Sequence, residues 1–308
     1  MPRSFTADRG DRTLRLDQVI LRHLPEVPRI SRTKVQRWIA AGLVTVNGRA
    51  AGRPAVGVAV GDEIAVGGEE VMAERALPKP EAQALDVLFE DDALLALNKP
   101  AGVVVHPSYK HAAGTLFNGI LGYLGQGSTS DDTPRLLHRL DKDTSGVLLV
   151  SKSLVVHRKA QRTMTAGLAS KTYLAVVHGQ PRPGSGAITF PLGGDPRDRR
   201  RVAVREDGSP SETRYTVVAR GEHAALVRCE LITGRMHQIR VHLSASGWPI
   251  VGDQVYGRPG DTFPRQALHA WRLTLPHPAS GAPLALEAPL PEDLTELCDT
   301  LVLPLPRE

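Results

Sequence analysis

Only two cysteines, Cys229 and Cys298, occur in the 308 residues, and no C-x-x-C spacing is present. That excludes a disulfide scaffold and a thiolate zinc site, and it suits a reducing cytoplasm. Aromatic residues make up 4% of the chain, so the core must be built from Val, Leu, Ala and Ile. No apolar run approaches the length of a membrane span. The N-terminal MPRSFTADRGDRT has no apolar h-region of a signal peptide. An intracellular, cytoplasmic protein is therefore expected, without a membrane partner. Also missing are a G-x-x-x-x-G-K-S/T loop, a G-x-G-x-x-G turn after a strand and a G-x-S-x-G elbow. Hence no nucleotide cofactor is expected, and nothing singles out the serine of a catalytic triad. What is present is 41% hydrophobic content, enough for a full core, and a formal net charge of +5 that suits a polyanionic partner without requiring one.

The chain divides by pattern. LRLDQVILRHL has helical apolar spacing at Leu14, Val19, Ile20 and Leu24. Ser31 is positioned as an N-cap for RTKVQRWIAA, and Gly42 as its stop. On this second helix Val35, Trp38 and Ile39 can face inward, leaving Arg32, Lys34 and Arg37 outside. LVTVNGRAA reads as a strand followed by a tight Asn47-Gly48 turn, and GDEIAV as another strand. These elements make a small α/β module over 13–75 with a basic helix face, which by itself is equally well a solvated face. ALPKPEAQA, 76–84, reads as a linker. The rest, 85–308, mixes strands (VLLVSK, TYLAVVHG, ETRYTVVAR, AALVRCELITG) with helices (GTLFNGILGYL, HQIRVHLSASG) without regular βαβ alternation. The expected class is α+β, a mixed, largely antiparallel sheet with flanking helices.

Three clusters could carry chemistry. HRLDKDTSGVLLVSK, 138–152, places Asp141 beside Arg139 and Lys142, whose charge would favour an ionised carboxylate able to act as nucleophile or general base. Spacing alone favours the plainer role, a turn aspartate with Thr144 and Ser145 bonding backbone. In TGRMHQIRVHLSASG, His237 and His242 are five residues apart with no carboxylate between them. They do not share a helix face as a metal pair would, so no metal is expected. PRDRRR, 196–201, sits in a Gly/Pro/Asp-rich loop whose self-repulsion an anion would relieve.

HRLDKDTSGVLLVSK resembles the active-site signature of the RluA/RluD-type RNA pseudouridine synthases. LNKPAGVVVHP (97–107), KTYLAVVHG (171–179), TGRMHQIRVHLSASGWPIVGDQVYG (233–257) and RQALHAWRLTLPHPASGAPLALEAPLPEDL (265–294) are similar to the family's other segments, in family order. The 13–75 unit resembles the S-four-type RNA-binding module that often precedes this domain, and that points its basic helix toward function. The resemblance implies a pseudouridine synthase fold for 85–308 and an isomerisation in which ribose leaves a ring nitrogen of uracil and rejoins a ring carbon. Such a reaction is redox-neutral and needs no cofactor. A monomer is expected, and large-subunit ribosomal RNA is the implied substrate by analogy.

By the same resemblance Asp141 is the essential carboxylate. Tyr173 stacks on the base; without the motif it reads as strand core. Arg240 pairs with Asp141, lowering its pKa and fixing its rotamer. Arg139 touches RNA and fills the space of the flipped nucleotide. His138, Thr144, Ser145 and Gly146 shape the substrate loop, His237 and Gln238 position the third motif, and Asp143 falls to the surface. Arg32, Lys34, Arg37, Arg197, Arg199, Arg200 and Arg201 are expected phosphate contacts. A non-catalytic RNA-binding or ribosome-assembly protein on the same scaffold is the alternative, but it has no need of the Asp141, Tyr173 and Arg240 set. An Asp-dependent hydrolase would release free base or cut the chain.

Overall fold

A computed structural model describes residues 3–24, 30–67, 78–107, 113–125, 132–198 and 200–306. The chain forms two compact units, Met1–Leu77 and Pro78–Glu308.

In the first unit, β1 (Arg3–Thr6), β2 (Val44–Val46), β3 (Arg49–Ala50) and β4 (Glu63–Val66) form an antiparallel sheet in the order β1-β4-β2-β3. The unit thus begins before Thr13, because β1 pairs with β4 from Arg3↔Val66 to Thr6↔Glu63. Helices α1 (Leu16–His23) and α2 (Arg32–Ala40) pack on it through Leu16, Val19, Ile20, Val35, Trp38 and Ile39. Leu14 lies ahead of α1 and only supports this core. The Ser31 hydroxyl accepts the Lys34 N–H, a capped helix start. Asn47 and Gly48, with φ of 51° and 75°, make the two-residue turn that joins β2 to β3. Asp17, fully buried on α1, gathers Arg15, Arg32 and Gln36 at 3.2, 3.0 and 2.8 Å. Burial opposes its ionisation, but the Gln36 amide and the two guanidinium groups hold the carboxyl below its usual value.

The second unit is built on one ten-stranded sheet, with a path β10-β13-β14-β9-β15-β8-β6-β5. Its strands are β5 (Val87–Glu90), β6 (Leu94–Lys99), β7 (Arg135–Leu136), β8 (Ser145–Ser151), β9 (Ser170–His178), β10 (Ser185–Ile188), β13 (Thr213–Arg220), β14 (Ala224–Leu231), β15 (Leu268–Pro276) and β16 (Pro283–Glu287). A separate hairpin pairs β11 (Leu192–Gly194) with β12 (Val202–Val204). All pairings are antiparallel except β8 with β15, where His269 faces Ser145 and Ala270 faces Gly146. This insertion of a late strand between β8 and β9 brings the start of β8 level with Tyr173 and Leu174 in the middle of β9. Helices α3 (Leu116–Leu124), α4 (Leu154–Thr165), α5 (Gln238–Ala245) and α6 (Glu292–Thr300) flank the sheet. The core runs through β8, β9, β14 and β15, with Leu148, Val150, Leu174, Val176, Leu226, Val227 and Leu268 among its buried members. At roughly 1.5–3 kcal/mol for each large aliphatic side chain buried, it fixes the sheet that carries the site.

Candidate active site

The segment before β8 is a tight turn, closed by the Thr144 N–H to Asp141 carbonyl bond at 3.2 Å. Three features hold it. Lys99, fully buried at the end of β6, donates to the carbonyls of Pro100, Lys142 and Thr144 at 2.7, 2.8 and 2.9 Å. Burial pushes its pKa down to about 7, with Arg265 adding to the effect and Asp143 and Asp141 opposing it. The Gln266 amide donates to the Thr144 hydroxyl at 3.1 Å. Gly146, at φ 113°, lets β8 approach β15 so closely that a Cβ there would collide with the Ala270 carbonyl.

Asp141 thereby reaches the edge of a cavity of about 410 Å³, lined among others by His138, Arg139, Asp141, Thr144, Tyr173 and Arg240. The Arg240 Nη1 donates to Asp141 Oδ2 at 2.9 Å. Its Nε and Nη2 grip Asp253 Oδ2 and Oδ1 at 2.7 and 2.8 Å. Asp253 Oδ1 also accepts the Val255 and Tyr256 N–H groups at 2.9 and 3.0 Å. Burial works against charge in both partners of this bidentate pair. Their mutual bonds outweigh it, holding the Asp253 carboxyl low and the Arg240 guanidinium high. Tyr173 is buried on the cavity wall, and burial together with the charge of Asp141 pushes its phenol up, so it stays protonated.

His237 sits in the left-handed region at φ 53°, immediately ahead of α5. For a residue with a Cβ that conformation costs about 1–3 kcal/mol and is characteristic of functional sites. The Tyr256 hydroxyl accepts the Val202 N–H at 2.8 Å and lies 2.9 Å from His237 Nδ1. The other ring nitrogen of His237, Nε2, is 3.8 Å from Asp141 Oδ2. Burial lowers the His237 pKa, with Arg240 adding to the effect and Asp141 opposing it.

The structure thus brings Asp141, Tyr173, Arg240, His237, His138 and the exposed Arg139 to one cavity. Gln238 also lines it, but its amide is already committed. It accepts from the Thr233 hydroxyl and the Arg235 N–H, and donates to the Glu212 carbonyl and the Thr213 hydroxyl. Ser145 and Gly146 depart from the expected substrate loop. They are the first two residues of β8, buried, and absent from the cavity lining. Ser145 instead bonds His269 Nδ1 at 2.9 Å, and His269 Nε2 bonds the Ala288 carbonyl at 3.1 Å.

The basic groups also differ from one another. In the first unit Arg32 serves Asp17, Lys34 lies over the Trp38 ring at 5.3 Å, and Arg37 is exposed. In the second, Arg197 is exposed, Arg200 pairs with Asp198, and Arg201 donates to the Val255 carbonyl while lying 5.4 Å from the Tyr256 ring. Arg199 lies outside the described residues. Sequence reasoning missed Asp253 and Tyr256. Both belong to GDQVYG, whose G-D opening reads as an ordinary turn, and only its place behind Arg240 distinguishes it.

A positioned carboxylate with a fixed cation behind it and a protonated phenol beside it defines an enzyme working by nucleophilic or base chemistry on a substrate that enters the cavity. Residues 93–245 match the family model described as RNA pseudouridylate synthase, and 14–64 match that of the S4 domain. The chain is 40% identical over 306 residues to ribosomal large subunit pseudouridine synthase D of Nitrosomonas europaea, covering 94% of this chain and 84% of that one. It is also 40% identical over 274 residues to an uncharacterized RNA pseudouridine synthase of Bacillus subtilis, covering 88% and 89%. The solved structure of human RNA pseudouridylate synthase domain containing 1 matches with a TM-score of 0.57 at 25% identity, over 73% of this chain and 97% of that one. The chain belongs to the RNA pseudouridine synthase family and is an enzyme of that class. Its mixed sheet with flanking helices is the fold expected from the sequence.

Proposed function

We propose that this enzyme converts uridine to pseudouridine in large-subunit ribosomal RNA, with Asp141 as the essential carboxylate. The observation that carries the reading is Asp141 itself, 20% exposed at the cavity while Arg240 bonds it from the buried side. A target uridine must leave its stack to reach this depth, which costs on the order of a few kcal/mol and less in loops and bulges. Tyr173 packs against the base, and Arg139, exposed at the same cavity, enters the space that the nucleotide vacates. Relatives whose names specify the large ribosomal subunit support the substrate. The redox-neutral reaction needs no cofactor.

The first unit contributes affinity rather than chemistry. Its exposed Arg37 and the Arg197–Arg201 region of the second unit are the phosphate contacts. Removing residues 1–77 is expected to weaken RNA binding and flatten its salt dependence while a short target is still modified. Unchanged affinity and slope would remove that role. The substrate itself is tested by mapping pseudouridines in ribosomal RNA from cells with and without the protein. A missing large-subunit pseudouridine is the expected result, and identical maps would refute the assignment. Release of free uracil would instead indicate a hydrolase.

A further inference from the structure

The cavity holds a cation that its carboxylates do not use. Lys171 stands two residues before Tyr173 on β9, so both side chains leave the same face of the strand, and both line the cavity. Lys171 is only partly exposed. Arg240 takes up Asp141 and Asp253, and among the described residues no hydrogen bond or ion pair engages the Lys171 ammonium. Gly234, which also lines the cavity, adjoins it, and a Cβ there would stand 3.9 Å from Nζ. Burial alone pushes the Lys171 pKa down, as expected of an ammonium that no anion compensates. Lysines left half-buried without an acid are uncommon, and they concentrate at functional sites.

The chemistry supplies the missing anion. When the C1′–N1 bond breaks, its electron pair leaves with uracil, and the negative charge spreads over N1, O2 and O4. C1′ becomes electron-poor and is met by the Asp141 carboxylate. C5 then bonds to C1′, C5 loses its proton, and N1 gains one, so the sum is an isomerisation. Between those events an anionic base lies beside Asp141, in a cavity whose cations are Arg139, Lys171, Arg235 and Arg240, and of these Lys171 shares a strand face with Tyr173 and has no acid partner among the described residues. The Asp141 charge opposes bond breaking, and a cation aimed at the base oxygens offsets it in a site with little water.

We propose that Lys171 is a catalytic residue that bonds a carbonyl oxygen of the target uracil and stabilises the charge the base acquires as it detaches. This rests on the pseudouridine synthase reading above. The test is single-turnover kinetics at saturating RNA for the wild type, Lys171→Met and Lys171→Arg, with RNA Kd and melting temperature measured on each. Lys171→Met is expected to lower the rate constant about 100-fold with Kd within about two-fold, and Lys171→Arg to recover most of the loss. Should methionine unsettle the fold, Lys171→Gln provides the same comparison. A Lys171→Met enzyme as fast as the wild type overturns the proposal. So does one that binds RNA weakly but reacts at full rate when saturated, because Lys171 would then be a phosphate contact. An active wild type with an indifferent variant overturns this inference alone, whereas an inactive wild type overturns the parent reading as well.

Discussion

Behind Arg240, Asp253 accepts two guanidinium bonds and two backbone N–H groups, and its side chain is wholly buried. In front of Arg240, Asp141 accepts a single bond at 2.9 Å and keeps 20% of its side chain exposed, facing the cavity. The same cation serves both, but its geometry is spent on the rear carboxylate. A bidentate pair with further donors is rigid, and that rigidity fixes where Nη1 stands. The front carboxylate is then aimed by one bond and has lone pairs left for a substrate. Support and reagent are two aspartates on one arginine, told apart by what else each one bonds.

Removing the shared cation should break this arrangement most severely. Arg240→Met leaves Asp253 buried without its partner and is expected to cost about 3–5 kcal/mol of stability, measured by denaturant unfolding, with pseudouridine formation lost. Asp253→Asn should be milder. It loses the charge pair but keeps an acceptor for the Val255 and Tyr256 N–H groups, for about 1–3 kcal/mol and a substantially reduced rate. This variant also bears on pH. The folded-state pKa of Asp253 lies below its unfolded value of 3.8. Its stabilising contribution is therefore complete above that value and is lost as pH falls through the folded pKa. Asp253→Asn should flatten the loss of stability below about pH 4, as read from melting temperatures across that range.

Tyr256→Phe comes next. It removes the acceptor of the Val202 N–H and the hydroxyl partner of His237 Nδ1. About 1 kcal/mol of stability and a moderate loss of rate are expected, because the imidazole can then turn beside Asp141. The smallest effect belongs to Asp143, two residues from Asp141 in the same turn, whose carboxylate does not line the cavity. Asp143 is half-buried, and Asp143→Asn keeps its size and the backbone carbonyl that accepts from Arg265, so activity should stay within about two-fold. An effect as large as that of Asp253→Asn would mean that charge anywhere in this turn matters, and not the bond to Arg240.

Local signals were the readable part of this fold. Ser31, Gly42 and Asn47-Gly48 act within a few residues, and the helix and hairpin they bound form as expected. Long-range pairing was not readable. Nothing local says that β15 inserts between β8 and β9, or that Gly146 is needed for that approach and not for a substrate loop. The helix Leu154–Thr165 had a usable signal in Ser153, which caps it by accepting the Val156 N–H. Its apolar side packs partly on the sheet through Val156, Ala160 and Met164, with a face rich in Arg and Lys outside. At the site, Asp141, Tyr173 and Arg240 were recognisable only as members of separate motifs in order. Asp253 stayed hidden because an aspartate after glycine is usually a turn residue, and its burial depends on an arginine thirteen positions away.

The most direct test is Asp141→Asn, which keeps the size of the side chain and leaves the Arg240–Asp253 pair in place. Pseudouridine formation on a target RNA should fall below detection, while RNA affinity and melting temperature stay close to those of the wild type. An Asp141→Asn enzyme that still makes pseudouridine at the wild-type rate would contradict the division of labour between the two aspartates.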